Sequence, residues 1–456
     1  MLNGHLVIDA DSHKCENPVV FLDYIDPAFR GRLKFIRDRY GEQRFVFVDF
    51  NRATGRNDLE RVYLQPEGYG KGTFRPYHDE STIGGIFNRL RVEHMDREGV
   101  DAGVIYGSIP LGYGSIQDPE LAVALCRAFN DYILDDCRPY ANRLFPVAVL
   151  PLQDPRAAVA EMRRCVEELG MVGVTVPPNI PQPHPDAPER FPAIRVPKPL
   201  SHPDFAPIFA EAERLDVAIG IHGAIGMYLA GGNADQVDTF TVGHVLANRG
   251  MHQTAMATMI FDGFFERYPK LRVGFLEAGC GWMPDFLHTM HEHWEKRVVG
   301  LDLALEPNPA AFLMELAREK NPRGGHDLVK KSKNLLSMVF SKSEKEASAE
   351  EKAEFVNEHP HLARDPRQYV ERGQIYLTFE PDDPSPAYLE AAMGTAGRRL
   401  ACFAIDYGHW DATLKDCVRF VAENPAIRGD FARQLLLDNA LRFYGPRLRS
   451  RLKLGA

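Results

Sequence analysis

Short apolar runs rich in valine and isoleucine alternate with longer amphipathic stretches along this chain, about eight times in all. Each short run has the length of a buried strand, and each longer stretch has the length and spacing of a helix. Alternation of this kind is typical of βα units repeated around a parallel sheet. Eight such units favour an α/β fold of the closed (β/α)8 TIM barrel type over an open doubly wound sheet.

The predicted strands are bounded apolar runs, and the predicted helices mostly begin at proline, whose missing N–H is harmless in a first turn. The strands are predicted at residues 6–11, 102–106, 144–150, 172–176, 217–222, 271–276, 375–379 and 400–405. Helices are predicted at residues 119–137, 155–169, 203–215 and 254–267.

Two segments interrupt the alternation. Residues from about 20 to 88 include an alternating run at 44–50, which predicts an antiparallel strand within an insertion after the first barrel strand. Residues from about 306 to 372 are charged and poor in aromatics, which indicates a solvated insertion before the seventh strand. We therefore expect a single barrel domain over residues 1–456, carrying these two insertions.

Composition narrows the class of protein. The chain has 456 residues, 45% of them hydrophobic and 26% charged, which is typical of a soluble globular protein. The net charge of -9 does not favour binding to nucleic acid or to an anionic membrane. No run of apolar residues approaches the roughly 20 that a membrane-spanning helix needs. We expect a cytoplasmic protein with a small-molecule substrate, no nucleic-acid or membrane partner, and the commonest oligomeric state, a homodimer.

Cysteine usage agrees with a reducing compartment. The seven cysteines are scattered, odd in number and without CxxC spacing, so reduced thiols are expected rather than a disulfide framework. Most of them are expected to be buried as small hydrophobic side chains.

The first strand runs directly into a carboxylate and an imidazole. Residues two apart on a strand project to the same side, so Asp11 and His13 converge as this strand ends. An oxygen donor beside a nitrogen donor suits a divalent ion such as zinc or manganese. The alternative for this pair alone is loop chemistry, with Asp11 capping a turn and His13 half exposed.

Ionisable residues also end three later strands. His222 ends the fifth, Glu277 the sixth and Asp406 the eighth. In a barrel the carboxyl ends of the strands meet at one face, where active sites lie. Asp11, His13, His222 and Asp406 together make a complete ligand set for one divalent metal ion, with zinc as first choice and manganese as second.

The ordered motifs resemble the amidohydrolase superfamily, and more narrowly the amidohydrolase-related group that includes aminocarboxymuconate semialdehyde decarboxylase. The resemblance rests on Asp11-Ser12-His13, His222 and the segment 406–411, with support from residues 91–101, 264–271 and 281–284. It implies that Asp11, His13, His222 and Asp406 are the metal ligands.

Glu277 departs from that family pattern, because it stands where the decarboxylases of the group carry a catalytic histidine. A glutamate cannot attract a substrate carboxylate as an imidazolium does, although it can ligate a metal or act as an acid or base. Ionised Asp11, Asp406 and Glu277 would also leave the centre net anionic around a divalent ion. The resemblance to a decarboxylase is weakened at this position.

We therefore expect a metal-dependent hydrolase of a small cyclic or aromatic carbonyl compound, in which the metal activates water and Asp406 takes the proton. Glu277 is expected to be a second acid/base or an extra ligand, and His222 completes the catalytic set. The alternative is a carboxy-lyase that decarboxylates an aromatic or unsaturated acid without oxidation. A third alternative, from another class, is a non-catalytic barrel scaffold.

Other histidines receive weaker assignments. His409 either reaches the substrate or orients Asp406 through a hydrogen bond. His244 and His252 are expected at the surface, and Trp282 in the core. Residues 288, 291 and 293 fall on a helix outside the barrel, where a solvated helical face is the expected role.

Overall fold

One eight-stranded parallel sheet organises this computed structural model, which describes residues 4–16, 22–37, 43–51, 54–62, 80–183, 195–223, 240–299, 314, 318 and 359–453. In chain order the strands of this sheet are β1 (Ile8–Lys14), β5 (Ala102–Gly107), β6 (Leu144–Val149), β7 (Gly173–Val176), β10 (Ala218–His222), β11 (Val273–Leu276), β12 (Ile375–Phe379) and β13 (Ala401–Phe403). Their order in space follows their order in the chain. All eight predicted strands are confirmed.

The sheet is nearly closed into a barrel by contacts between its first and last strands. The backbone N–H of Ile405 donates to Asp9 Oδ1 at 3.0 Å, and the N–H of His13 donates to the Tyr407 carbonyl at 2.6 Å. A buried carboxylate thus takes the place of a backbone acceptor at the seam. The expected (β/α)8 TIM barrel is confirmed, and its strand ends all open on one face.

Helices follow most of the barrel strands. They are α1 (Glu80–Ile86), α2 (Asn88–Glu98), α3 (Pro119–Cys137), α4 (Pro155–Arg163), α5 (Ala206–Arg214), α6 (Phe240–Phe261), α7 (Phe264–Arg267), α8 (Met283–Trp294), α9 (Arg367–Glu371), α10 (Ser385–Leu400), α11 (Cys417–Ala422), α12 (Phe431–Arg433) and α13 (Asn439–Arg451). The predicted helix at 119–137 is confirmed to the residue. The one predicted at 254–267 begins earlier, at Phe240, and breaks at Gly263, whose φ of 69° is left-handed.

Among the described residues, five further strands lie outside the barrel sheet. β2 (Leu33–Arg37), β3 (Gln43–Asn51) and β4 (Arg56–Val62) form an antiparallel sheet in the chain between β1 and β5. The antiparallel strand predicted at 44–50 is therefore confirmed. β8 (Asn179–Pro183) and β9 (Arg195–Pro199) form an antiparallel pair. Most of the predicted charged insertion, residues 306 to 372, lies outside the described residues.

The C-terminal helix α13 packs against the amino ends of the barrel strands. Phe443 lies close to Gly274 and Tyr444 close to Gly173, where an added Cβ would crowd either ring. The Tyr444 hydroxyl donates to the Ala10 carbonyl at 2.6 Å. This packing leaves the opposite, carboxyl end of the barrel for a site.

All seven cysteines are buried and free, as their spacing predicts. Within the described ranges, we find no helix with the length and apolar character needed to cross a membrane.

Candidate metal centre

Strand β1 supplies two donors to the interior of the barrel. Asp11 and His13 lie on the same side of this fully buried strand, with 1% and 0% of their surface exposed. Asp11 Oδ1 is 3.5 Å from His13 Nε2. The strand continues to Lys14, so both donors lie within it rather than beyond its end, and the predicted convergence is confirmed.

His222 brings a third donor from the last residue of β10. Its Nε2 lies 3.1 Å from His13 Nε2 and 3.8 Å from Asp11 Oδ1. Its other ring nitrogen, Nδ1, lies 2.9 Å from the Gly223 carbonyl and donates to it. That hydrogen bond leaves the Nε2 lone pair of a neutral ring directed at His13, which is the orientation of a metal-ligating histidine.

Two carboxylates approach the same point from the ends of β11 and β13. Glu277 Oε1 lies 2.9 Å from His13 Nε2, and Asp406 Oδ1 lies 3.6 Å from it. Both residues have left-handed backbones, with φ of 54° and 56°. This conformation costs a residue other than glycine about 1–2 kcal/mol. The surrounding structure imposes it where the chain turns out of the sheet.

His409 lies against these donors in the loop after β13. Its ring stacks on that of His13 with centroids 4.2 Å apart. Its Nδ1 is 2.7 Å from Asp406 Oδ1, and its Nε2 is 3.1 Å from the Ser108 hydroxyl. His409 is thus in contact with Asp406, and 15% of its side chain is exposed.

The donor set fits a divalent metal ion. Both carboxylate oxygens of Asp11 are buried and make no hydrogen bond, an arrangement that costs several kcal/mol unless a cation compensates the charge. The Nε2 atoms of His13 and His222 point at each other, where two lone pairs would repel unless a proton or an ion lies between them. A metal held by Asp11, His13 and His222 would satisfy these atoms at once, and Asp406 belongs to a second group of donors that shares His13.

The charges of the site shift the pKa values of its members in opposite directions. Burial lowers the pKa of His222, but the carboxylates of Glu277 and Asp11 outweigh it and raise the value to about 9. Burial raises the pKa of Glu277, but the imidazoles of His222 and His13 hold it well below its usual range. Burial and the charge of Glu277 raise the pKa of Asp406. The site therefore favours a positive charge at its centre.

Some residues that support the donor side chains were not among the site residues predicted from the sequence. Arg91, on α2, is 1% exposed and donates to the Ser12 hydroxyl and the His13 carbonyl. Its guanidinium also lies over the ring of Tyr407, 4.5 Å from the centroid. Asn248, on α6, donates to the Glu277 carbonyl at 3.3 Å. These residues are far from the donors in the chain, so only the fold brings them together.

An apolar recess opens beside His222 at the carboxyl ends of β5, β6 and β7. Most of its lining is aliphatic or proline, and Tyr113 and Thr175 contribute two hydroxyls. It is formed by Pro110, Leu111, Tyr113, Gly114, Val149, Leu150, Thr175, Val176, Pro177 and His222. Its free volume is about 10 Å³, room for about one water molecule, so it is an apolar wall beside the donors rather than a preformed pocket for a ring.

The structure corrects one of the weaker predictions, that His252 lies at the surface, and agrees with the prediction for His244. His252 is fully buried, not at the surface, because α6 packs its ring toward β11, where Nε2 lies 2.6 Å from the Leu276 carbonyl. His244 has 40% of its side chain exposed. His291 pairs with Asp365 at 3.1 Å, outside both groups of metal-ligating side chains found among the described residues. Trp282 is buried, as predicted.

Comparison with known proteins finds relatives of this chain among amidohydrolases and decarboxylases. A family model described as amidohydrolase matches residues 79–302. The chain is 25% identical to 2-amino-3-carboxymuconate-6-semialdehyde decarboxylase of Dictyostelium discoideum over 62% of this chain and 78% of that enzyme. It is 33% identical to gamma-resorcylate decarboxylase of Rhodococcus jostii over 37% of this chain, which spans half of that enzyme.

Solved structures share the fold. A dihydroxybenzoic acid decarboxylase from a Polaromonas species, with bound manganese and the inhibitor 2-nitroresorcinol, superposes with a TM-score of 0.55. The alignment covers 97% of each chain at 17% sequence identity, which establishes the fold alone.

Proposed function

Because this chain belongs to the amidohydrolase family, we propose that it is a metal-dependent carboxy-lyase that releases carbon dioxide from an aromatic or unsaturated carboxylic acid. The observation that carries the proposal is a pair of donor groups that share the buried His13, one with Asp11 and His222 and the other with Asp406. These donors suit a metal that the carboxylate of such an acid can approach, and apolar side chains lie beside them.

The hydrolase activity predicted from the sequence is wrong. The curated relatives that the chain resembles are named decarboxylases, so the carboxy-lyase alternative replaces it. Glu277, which had weakened the decarboxylase interpretation, does not prevent it. A carboxylate there changes the charge of the centre but leaves its metal-binding geometry intact.

We place manganese before zinc as the metal. Manganese is bound in the Polaromonas decarboxylase, and mixed carboxylate and imidazole donors suit it. When bound, the metal would supply a positive charge that orients the substrate carboxylate and stabilises the electrons left on the ring carbon.

The residues of this chain then have separate tasks. The apolar side chains beside His222 offer the ring a contact surface next to the donors. Loss of carbon dioxide breaks the carbon–carbon bond and leaves its electron pair on the ring carbon, which must take up one proton. Asp406 delivers that proton from its carboxyl group. His409, in contact with Asp406 at 2.7 Å, keeps the carboxyl group pointed into the site.

A direct test measures the carbon dioxide and the decarboxylated compound that the reaction would release. The manganese-loaded protein is incubated with a panel of hydroxylated benzoates and unsaturated acids in deuterated water. We expect carbon dioxide from at least one acid and one deuterium at the ring or chain carbon that lost it. The Asp406→Asn variant, loaded in the same way, is the matched control and should release none. A folded, metal-loaded wild type that leaves every acid of the panel intact would contradict the proposal.

A further inference from the structure

Glu277 lies among the metal donors as closely as the predicted ligands do. Its Oε1 is 2.9 Å from His13 Nε2 and 3.4 Å from His222 Nε2. The corresponding distances from Asp11 Oδ1 are 3.5 Å and 3.8 Å. Only 13% of the Glu277 side chain is exposed. This carboxylate is therefore inside the donor cluster rather than around it.

The spacing of these atoms is that of ligands on one ion. Donors about 2.1 Å from a shared metal lie roughly 3–4 Å from one another, in tetrahedral or octahedral geometry. The distances from Glu277 Oε1 to the two imidazoles are within or close to this range. A carboxylate that only balanced charge from a distance would not approach both rings at once.

The two oxygens of Glu277 have different surroundings. Oε1, on the side of the histidines, makes no hydrogen bond. Oε2 accepts from the Asn248 side-chain amide at 3.5 Å. The Glu277 backbone N–H donates to the Thr378 hydroxyl at 2.9 Å, which anchors the residue at the end of its strand. One oxygen is thus held by the protein and the other is left for a cation.

We propose that Glu277 is a further metal ligand, bound beside His13 and His222, with Asn248 as a positioning residue for Glu277. The inference rests on the metal site of the proposed function but not on its reaction. A further carboxylate would make the donor set harder and more anionic, which favours manganese over zinc.

The test measures metal affinity without substrate. Metal-free full-length protein is titrated with Mn²⁺, and free Mn²⁺ is followed by its electron paramagnetic resonance signal. We expect Glu277→Gln to weaken binding by at least about tenfold. Glu277→Asp keeps the charge but withdraws the oxygens by one methylene, and should weaken binding to a similar extent.

The control is Glu371→Gln, which removes an exposed carboxylate at the end of α9, outside both groups of donors. We expect its affinity for Mn²⁺ to stay within about twofold of wild type. Asn248→Ala should weaken binding less than Glu277→Gln does. Circular dichroism of each metal-free variant establishes that it is folded.

Three results would overturn the inference. They are full affinity in a folded Glu277→Gln variant, full affinity in Glu277→Asp, and a wild type that takes up no metal. Full affinity in Glu277→Asp would show that the negative charge of residue 277, rather than direct coordination, accounts for its effect on metal binding. A wild type that binds Mn²⁺ through Glu277 but releases no carbon dioxide from any acid would refute the reaction and leave the ligand assignment standing.

Discussion

His13 and His222, from opposite sides of the barrel, bring their Nε2 atoms to within 3.1 Å of each other. The two residues are 209 apart in the chain, and His222 Nδ1 donates to the Gly223 carbonyl, so the Nε2 of a neutral His222 is an acceptor. Such a pair is unfavourable without a shared proton or ion. Two of the predictions below concern the ion that we infer between them.

Loss of one imidazole should empty the metal site. We expect His222→Ala to lower bound metal from about one equivalent per chain to near zero, because a divalent site of this type needs all its protein ligands. Elemental analysis of the purified proteins measures this. Exposed His244→Ala is the control and should keep its metal. Equal metal content in wild type and His222→Ala would contradict the ligand assignment.

Added metal should stabilise the wild type. A ligand that binds only the folded state at about 100 times its Kd adds about 2.7 kcal/mol to the free energy of unfolding. We expect a raised Tm on addition of Mn²⁺ to metal-free wild type, measured by differential scanning calorimetry. His222→Ala should show no such rise, and an equal rise in both proteins would place the stabilising ion elsewhere.

Asp406→Asn should abolish turnover while leaving the fold intact. An amide cannot deliver the proton that the product carbon needs, so we expect the rate to fall by about 10²–10⁴-fold. Single-turnover release of carbon dioxide, measured on metal-loaded protein of unchanged Tm, tests this. Substantial activity in the folded, loaded variant would remove Asp406 from the role of acid.

Arg91 should contribute to stability through the strand that carries the donors. Arg91→Met removes hydrogen bonds to the Ser12 hydroxyl and the buried His13 carbonyl, which costs about 1–3 kcal/mol. Urea denaturation of the metal-free proteins measures the difference. Arg89→Met, on the same helix, breaks only an exposed pair with Glu93 and should change stability by less than about 0.5 kcal/mol. Similar losses in both variants would argue against the buried role of Arg91.

Glu211, which lies far from the metal site, should make the free energy of unfolding depend on pH. Hydrogen bonds from Arg163 and Arg214 lower its pKa to about 2. Because the folded-state pKa is lower than the unfolded one, the stabilisation is present above the ordinary pKa of glutamate and is lost as the pH falls toward 2.

We therefore expect Glu211→Gln to cost about 1–2 kcal/mol at pH 7, since both arginines are half exposed and solvent screens the pairs. The cost should shrink below pH 4, as measured by urea denaturation across the pH range. Glu168→Gln, at an exposed position on the neighbouring π-helical turn, should have no effect at any pH. A Glu211→Gln cost that does not vary with pH would contradict the pKa assignment.

Much of the fold could be predicted from the sequence because local pattern determines it. Eight bounded apolar runs give eight buried strands, and the parallel arrangement then forces their carboxyl ends to one face. For the same reason Asp11, His13, His222 and Asp406 could be expected to meet before any distance was known. The helix boundaries at residues 254–267 could not, since they depend on a left-handed Gly263.

What the sequence by itself determined is therefore the barrel and the identity of residues at its strand ends. Only the tertiary structure decided that Glu277 points among the imidazoles, that His409 stacks on His13 and that His252 is buried. The physical reason is that these contacts join residues far apart in the chain. Side-chain direction at a strand end depends on a backbone turn, here a positive φ at Glu277 and Asp406, which hydrophobic periodicity does not encode.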